Sequence, residues 1–117
     1  MIRKTKWAIQ RLFRGYAECD LWNLDLLFVR KFRAPLKAFI RHQEEKGMSL
    51  PLEFETDPTG WLLTLAKIEF AFDEVFADDL DKGFVHKDET QEEFSERQEK
   101  IQEGFELFGK YFRNLWD

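Results

Sequence analysis

The sequence predicts an all-α domain of about four helices, the second of them kinked or broken near Pro35. Three observations carry this expectation. Apolar residues recur at spacings of three and four through four segments of the chain. Only three Pro and six Gly interrupt 117 residues, too few for a turn-rich β sandwich. Thirteen Phe and four Trp, within 44% apolar residues, supply a large-ringed core and set the chain apart from disordered sequences. A chain of this length reads as one helical domain, residues 1–117. It can bury roughly two thirds of its unfolded surface without disulfide or metal staples.

The first helix is expected from Thr5 to Tyr16, with Ile9, Leu12, Phe13 and Tyr16 at helical spacing, Thr5 as its cap and Gly15 weakening its end. The second is expected from Asp20 to Lys46, with Gly47 as the stop. Its stripe is Leu24, Leu27/Phe28, Phe32, Leu36 and Phe39/Ile40. Pro35 removes one backbone donor and crowds the preceding turn, which places the kink or break near Arg33.

Residues 48–58, with Pro51 and Pro58, read as a loop. Asp57-Pro58-Thr59 then starts the third helix, Asp capping and Pro fitting the first turn. This helix runs to about Asp79 on the stripe Trp61, Leu65, Ile68, Phe72 and Val75/Phe76. Leu80 to Lys87, holding Gly83, is a polar connection. The fourth helix starts near Asp88 and carries Phe94, Ile101, Phe105, Phe108, Phe112 and Leu115, the cleanest pattern in the chain. Gly104 and Gly109 beside that stripe imply either close approach of a neighbour or simple tolerance, each at a cost of about 1 kcal/mol relative to Ala.

Charge is unevenly divided. Residues 1–46 hold 11 Lys/Arg against 5 Asp/Glu, a balance of +6, and residues 47–117 hold 7 against 18, a balance of −11. The halves attract each other across the bundle, or one of them meets a charged partner.

The fourth helix has a second stripe of Glu89, Glu92, Glu96, Glu99, Glu103 and Glu106, opposite its apolar face. It reads as an ordinary solvated face or as a row of anions. Such a row would imitate a phosphate backbone and occupy a basic groove by the counterion release that drives nucleic-acid binding. The second helix carries the opposite stripe, Arg30, Arg33, Lys37 and Arg41. These cations hold phosphates, or they pair internally with Asp73, Asp78, Asp79 or the glutamates. Four cations on an acidic protein do not lead to an expectation of direct nucleic-acid binding.

Enzyme signals are thin. Glu92-Glu93-Phe94-Ser95-Glu96 followed by Glu103 and Glu106, with Glu69 and Asp73 on the third helix, superficially resembles the helical Mg²⁺-dependent nucleotide pyrophosphohydrolases. Here the glutamates face away from the apolar stripe, whereas a bundle metal site needs inward carboxylates. Asp25 is read as a carboxylate at the edge of the buried stripe, functional or paired with an Arg. His42 and His86 read as surface residues, and Cys19 has no cationic neighbour in sequence. No catalytic residue, metal or cofactor is expected, and one Cys excludes a disulfide framework. No apolar run spans a membrane and no signal peptide is recognised, which fits a soluble protein of a reducing cytoplasm.

Two segments carry a resemblance. Arg14-Gly15-Tyr16-Ala17-Glu18-Cys19-Asp20-Leu21-Trp22-Asn23-Leu24-Asp25 is similar to the pattern G-[FY]-x-x-x-D-x-W-x-L-D. The ending, Gly104 to Asp117, is similar to G-x-E-L-F-x-K-Y-F-x-x-L-W-D. Both resemble a group of small bacteriophage and prophage proteins. The resemblance covers about 26 residues, and nothing in Lys31–Asp57 takes part. It implies a phage origin, a place in the cytoplasm of the bacterial host, and a host protein or complex as partner, including a nucleic-acid-binding defence complex to be inhibited. A virion structural or assembly role is the other interaction reading. The partner-binding candidates are Glu92, Glu96, Glu99, Glu103, Glu106 and Trp116. Leu107, Tyr111 and Trp116 widen the apolar stripe, either for a homodimer contact or to face two helices.

Overall fold

A computed structural model describes residues 2–47, 49–81 and 88–116. The fold is all-α, with no strand among those residues. Its helices are α1 (Ile2–Arg14), α2 (Leu24–Lys46), α3 (Pro58–Asp81) and α4 (Gln91–Lys110). Short 3-10 segments at Glu18–Asn23, Leu52–Phe54 and Phe112–Asn114 join or extend them.

α3 is the central helix and packs on both α2 and α4. Its stripe behaves as the spacing predicts: Trp61, Leu65, Ile68 and Phe72 are fully buried. Val29, Leu36 and Ile40 of α2 and Tyr111 beyond α4 join it in one core, with Phe105 and Phe108 of α4 packed against them. Rings from all three helices lock together, Phe72 lying 5.1 Å from Phe105, 5.2 Å from Phe108 and 5.8 Å from Phe32 between centroids. Aromatic pairs at such distances add to simple area burial.

The starts of α3 and α4 follow their caps. By contrast, α1 begins at Ile2, so that Thr5, expected to cap it, lies inside the helix, and α2 starts after Asn23 with no side-chain cap bond. Asp57 Oδ1 accepts from the Gly60 backbone N–H at 3.0 Å, and Pro58 sits first in α3, where its missing donor costs nothing. α4 begins at Gln91, later than expected, because Thr90 and Glu93 close a reciprocal capping box. Glu89 therefore precedes the helix and leaves the glutamate row.

Of the two outcomes expected at Pro35, a kink or a break, the break is absent: α2 is one helix from Leu24 to Lys46. Burial of Val29, Leu36 and Ile40 on both sides of the proline offsets the lost hydrogen bond, worth about 3 kcal/mol in an unsupported helix. Upstream, residues 18–23 form a 3-10 segment, so α2 starts at Leu24 rather than Asp20. The apolar stripes also fray at their ends: Leu24, Phe94 and Phe112 are exposed.

α1 stands apart from the packed trio. The element it packs against is the Glu18–Asn23 segment. None of its residues is buried. Ile2, Leu12 and Phe13 are 87%, 79% and 82% exposed, and Ile9 is half exposed. Polar contacts hold its other side: the Glu18 N–H donates to Gln10 Oε1 at 2.9 Å, and Lys6 bridges Glu18 at 3.3 Å. Gly15 ends the helix at φ +83°, in the left-handed region that glycine enters freely. Because α1 projects, the radius of gyration is 17.0 Å. A compact chain of this length would have about 13 Å. The Leu80–Lys87 connection lies almost wholly outside the described residues, as do His86 and the side chains of Trp22 and Asp79.

Candidate functional site: the charged faces of α2, α3 and α4

The cation stripe of α2 divides in two. Arg33 and Lys37 turn toward α3. Arg33 Nε donates to Asp73 Oδ1 at 2.7 Å, and its guanidinium lies 4.3 Å from the Phe76 ring centroid. Lys37 Nζ donates to Asp73 Oδ2 at 2.9 Å and to Glu69 Oε2 at 3.0 Å. This is the internal pairing that the opposed stripes allow. Arg30 and Arg41 lie at the surface, so the four residues do not form one phosphate cradle. Glu69 and Asp73 converge on Lys37 rather than on a shared open site, which removes the geometric support for reading them as metal ligands. Among the described residues, no group of three or more His, Cys, Asp or Glu is arranged to hold a metal ion.

A second ionic node joins α3 to α4, and sequence reasoning missed it. Arg97, only 11% exposed, donates from Nε to Glu89 Oε2 at 2.9 Å and from Nη1 to Asp78 Oδ2 at 3.2 Å, with Glu74 at 4.0 Å. Its signal was available. Arg97 falls between Phe94 and Ile101 on the apolar face, at spacings of three and four, opposite an acid-rich end of α3. Hydrogen bonding to Glu89 holds its pKa above the usual arginine value, against the opposing effect of burial.

A third contact fixes the end of α4. Tyr111, expected to widen the stripe, is buried against Trp61 and Phe54, and its hydroxyl donates to Glu53 Oε2 at 2.7 Å. That bond lowers the Glu53 pKa and raises that of Tyr111. For Lys37, burial alone would lower the pKa, but the bonds to Asp73 and Glu69 prevail and raise it. Lys37 and Tyr111 have folded pKa values above their unfolded ones, so both contribute stability below about pH 10 and lose it as pH rises through the folded values. Thermal unfolding should therefore show a steady midpoint from neutrality to about pH 10 and a decline above it. A midpoint unchanged at about pH 12 would contradict these assignments.

The glutamate row is placed as its spacing predicts. Glu92, Glu96, Glu99, Glu103 and Glu106 are all exposed along one face of α4. Glu103 reaches Lys67 at 3.7 Å and Glu106 accepts from Gln102 at 3.3 Å, both in open solvent, where such pairs contribute little. The row spans fourteen residues, about 21 Å at the helical rise. Glu89 does not belong to it, being drawn inward by Arg97.

Trp116 is exposed, beyond the Phe112–Asn114 segment, and Leu115 packs on the core. Asp25 is exposed, so it is not a half-buried carboxylate. His42 lies at the surface. Cys19 does have a cationic neighbour, since Arg11 Nη2 donates to its Sγ at 3.4 Å; the turn at Gly15, invisible to spacing rules, brings the two together. No helix is long and apolar enough to cross a membrane among the described residues. No protein-family model, curated protein or solved structure matches this chain.

Proposed function

We propose that this chain is a small, non-catalytic interaction protein of phage type that acts inside the bacterial host. In this reading the glutamate face of α4 enters the basic groove of a host nucleic-acid-binding protein, such as a defence complex, and inhibits it. The observation that supports it is the five-residue row Glu92, Glu96, Glu99, Glu103 and Glu106. These residues are exposed along one face, whereas Glu69, Asp73, Glu74 and Asp78 on α3 are drawn into ion pairs with Arg33, Lys37 or Arg97. The fold gains little from the row, and its like charges repel by a few tenths of a kcal/mol per neighbouring pair. A surface retained against that cost fits a partner of opposite charge.

The test is affinity purification from infected cells followed by mass spectrometry. Wild-type chain should recover one dominant host partner. The combined variant Glu96→Lys, Glu99→Lys, Glu103→Lys should lose at least tenfold of it, with the thermal midpoint shifted by no more than a few degrees because all three residues are exposed. Equal recovery by the variant would remove the proposal.

A further inference from the structure

Among the described residues nothing covers the apolar face of α1, and its chemistry defines what would cover it. Ile2, Ile9, Leu12 and Phe13 fall within roughly a 100° arc of the helix, about 16 Å long. The rest of the circumference carries Arg3, Lys4, Lys6, Arg11 and Arg14, and α1 contains no acidic residue. An amphipathic helix of this kind seats its apolar stripe in an apolar groove with anionic walls.

An apolar depression of mixed-charge rim lies between α3 and α4, next to the glutamate face of α4. Leu63, Ala66 and Phe70 lie on the back of α3, turned away from the buried Trp61–Phe72 stripe, and form the floor of a depression of about 340 Å³ against α4. Leu63 is 61% exposed. Glu103 borders the floor with Lys67 and Lys100, Lys67 being bridged to Glu103. Beyond Phe70, Glu96, Glu99 and Glu103 line an adjoining depression with Lys100. The floor runs about 10 Å along α3, within the length of the α1 stripe, and the glutamates lie past its Phe70 end.

The chain's own α1 does not supply the occupant. It is held on the α2 side of α3, where Lys31 Nζ donates to the Gly15 carbonyl at 3.2 Å and Ala17 is fully buried. The groove lies between α3 and α4. We infer that α1 of one copy docks in the α3–α4 groove of a second copy, seating Ile2, Ile9, Leu12 and Phe13 on Leu63, Ala66 and Phe70 with its cations against Glu96, Glu99 and Glu103. Reciprocal exchange of the two helices closes a two-fold dimer and leaves no open end. The inference concerns the chain alone and does not rest on the host-partner reading. The two meet in one consequence: the exchange covers part of the glutamate row, so a second copy competes with a partner for it.

Light scattering on the eluting full chain tests it. Wild type should move from 14.1 kDa toward twice that mass as concentration rises, and back toward the monomer in high salt as the charge contacts are screened. Ile9→Asp removes the stripe and Leu63→Asp spoils the groove. Each position is exposed, so each variant should keep its thermal midpoint and elute as a monomer. Mixed together, the two should regain dimer mass, because the intact α1 of one meets the intact groove of the other. A wild type that stays at 14.1 kDa at every concentration overturns the inference. So does a Leu63→Asp variant that still dimerises, which would mean that α1 pairs with α1. So does a mixture that stays monomeric. Wild type that remains monomeric yet pellets with phosphatidylglycerol vesicles assigns the stripe to an anionic lipid surface instead.

Discussion

Gly104→Ala is expected to destabilise the protein, although alanine is the better helix former by about 1 kcal/mol. Gly104 is buried where α4 crosses α3. A Cβ there would stand 2.5 Å from the Ala71 Cβ and 2.5 Å from the Lys67 carbonyl oxygen. The oxygen belongs to the α3 backbone and has no rotamer to escape into, so the helices must separate. Separation loosens the Phe72–Phe105–Phe108 contacts on the same interface. Overpacking of this kind costs about 1–3 kcal/mol, enough to exceed the propensity gain. We expect a lowered midpoint, by about 5 °C for Ala and more for Gly104→Val. Gly109→Ala is the control. Gly109 has nothing within 4 Å of the added methyl, so alanine there should raise stability by up to about 1 kcal/mol. If both glycines tolerate alanine equally, the close approach of α4 to α3 is wrong.

Arg97→Met should produce the second large loss, about 3 kcal/mol in urea denaturation. The substitution keeps the apolar stem but takes two hydrogen bonds from Glu89, which is itself mostly buried at 11% side-chain exposure, and one from Asp78, and removes the cation 4.0 Å from Glu74. Glu89 then loses its guanidinium donor inside a poorly solvated crevice. Asp78 is more open to water, and for that reason we place the loss at the lower end for a broken buried network. Arg97→Lys should restore only part of it, since an ammonium cannot reproduce the fork that holds both Glu89 oxygens. Glu103→Gln, which breaks the exposed bridge to Lys67, should cost no more than about 0.5–1 kcal/mol. Equal losses at Arg97 and Glu103 would show that the Arg97 node has no special weight.

The fold was legible to the extent that it is written in local periodicity. The stripe from Trp61 to Phe72 and the Asp57-Pro58 start read directly, because burial and capping act within one helix. The glutamate face of α4 read equally well, being the same period seen from the other side. What failed depends on contacts distant in sequence. A helical stripe states that a face needs cover and not what covers it, so α1 was counted with the packed helices when its apolar side faces solvent. Of the kink or break expected at Pro35, the break did not form, its local penalty being offset by burial of Leu36 and Ile40. Arg97 was not singled out and Tyr111 was read only as part of the stripe, since their partners at Asp78 and Glu53 come from other elements. The halves of the α2 cation stripe separated for the same reason, since Arg33 and Lys37 face Asp73 and Glu69 on α3 while Arg30 and Arg41 lie at the surface.

The placing of α3 between its two neighbours in sequence bears on how the chain reaches this state. Each large interface, α2 with α3 and α3 with α4, forms by closing one short connection, and no segment has to thread past another. Low contact order of this sort favours rapid collapse. Either hairpin of helices can nucleate first, and whichever does presents the third helix with a ready-made platform of rings.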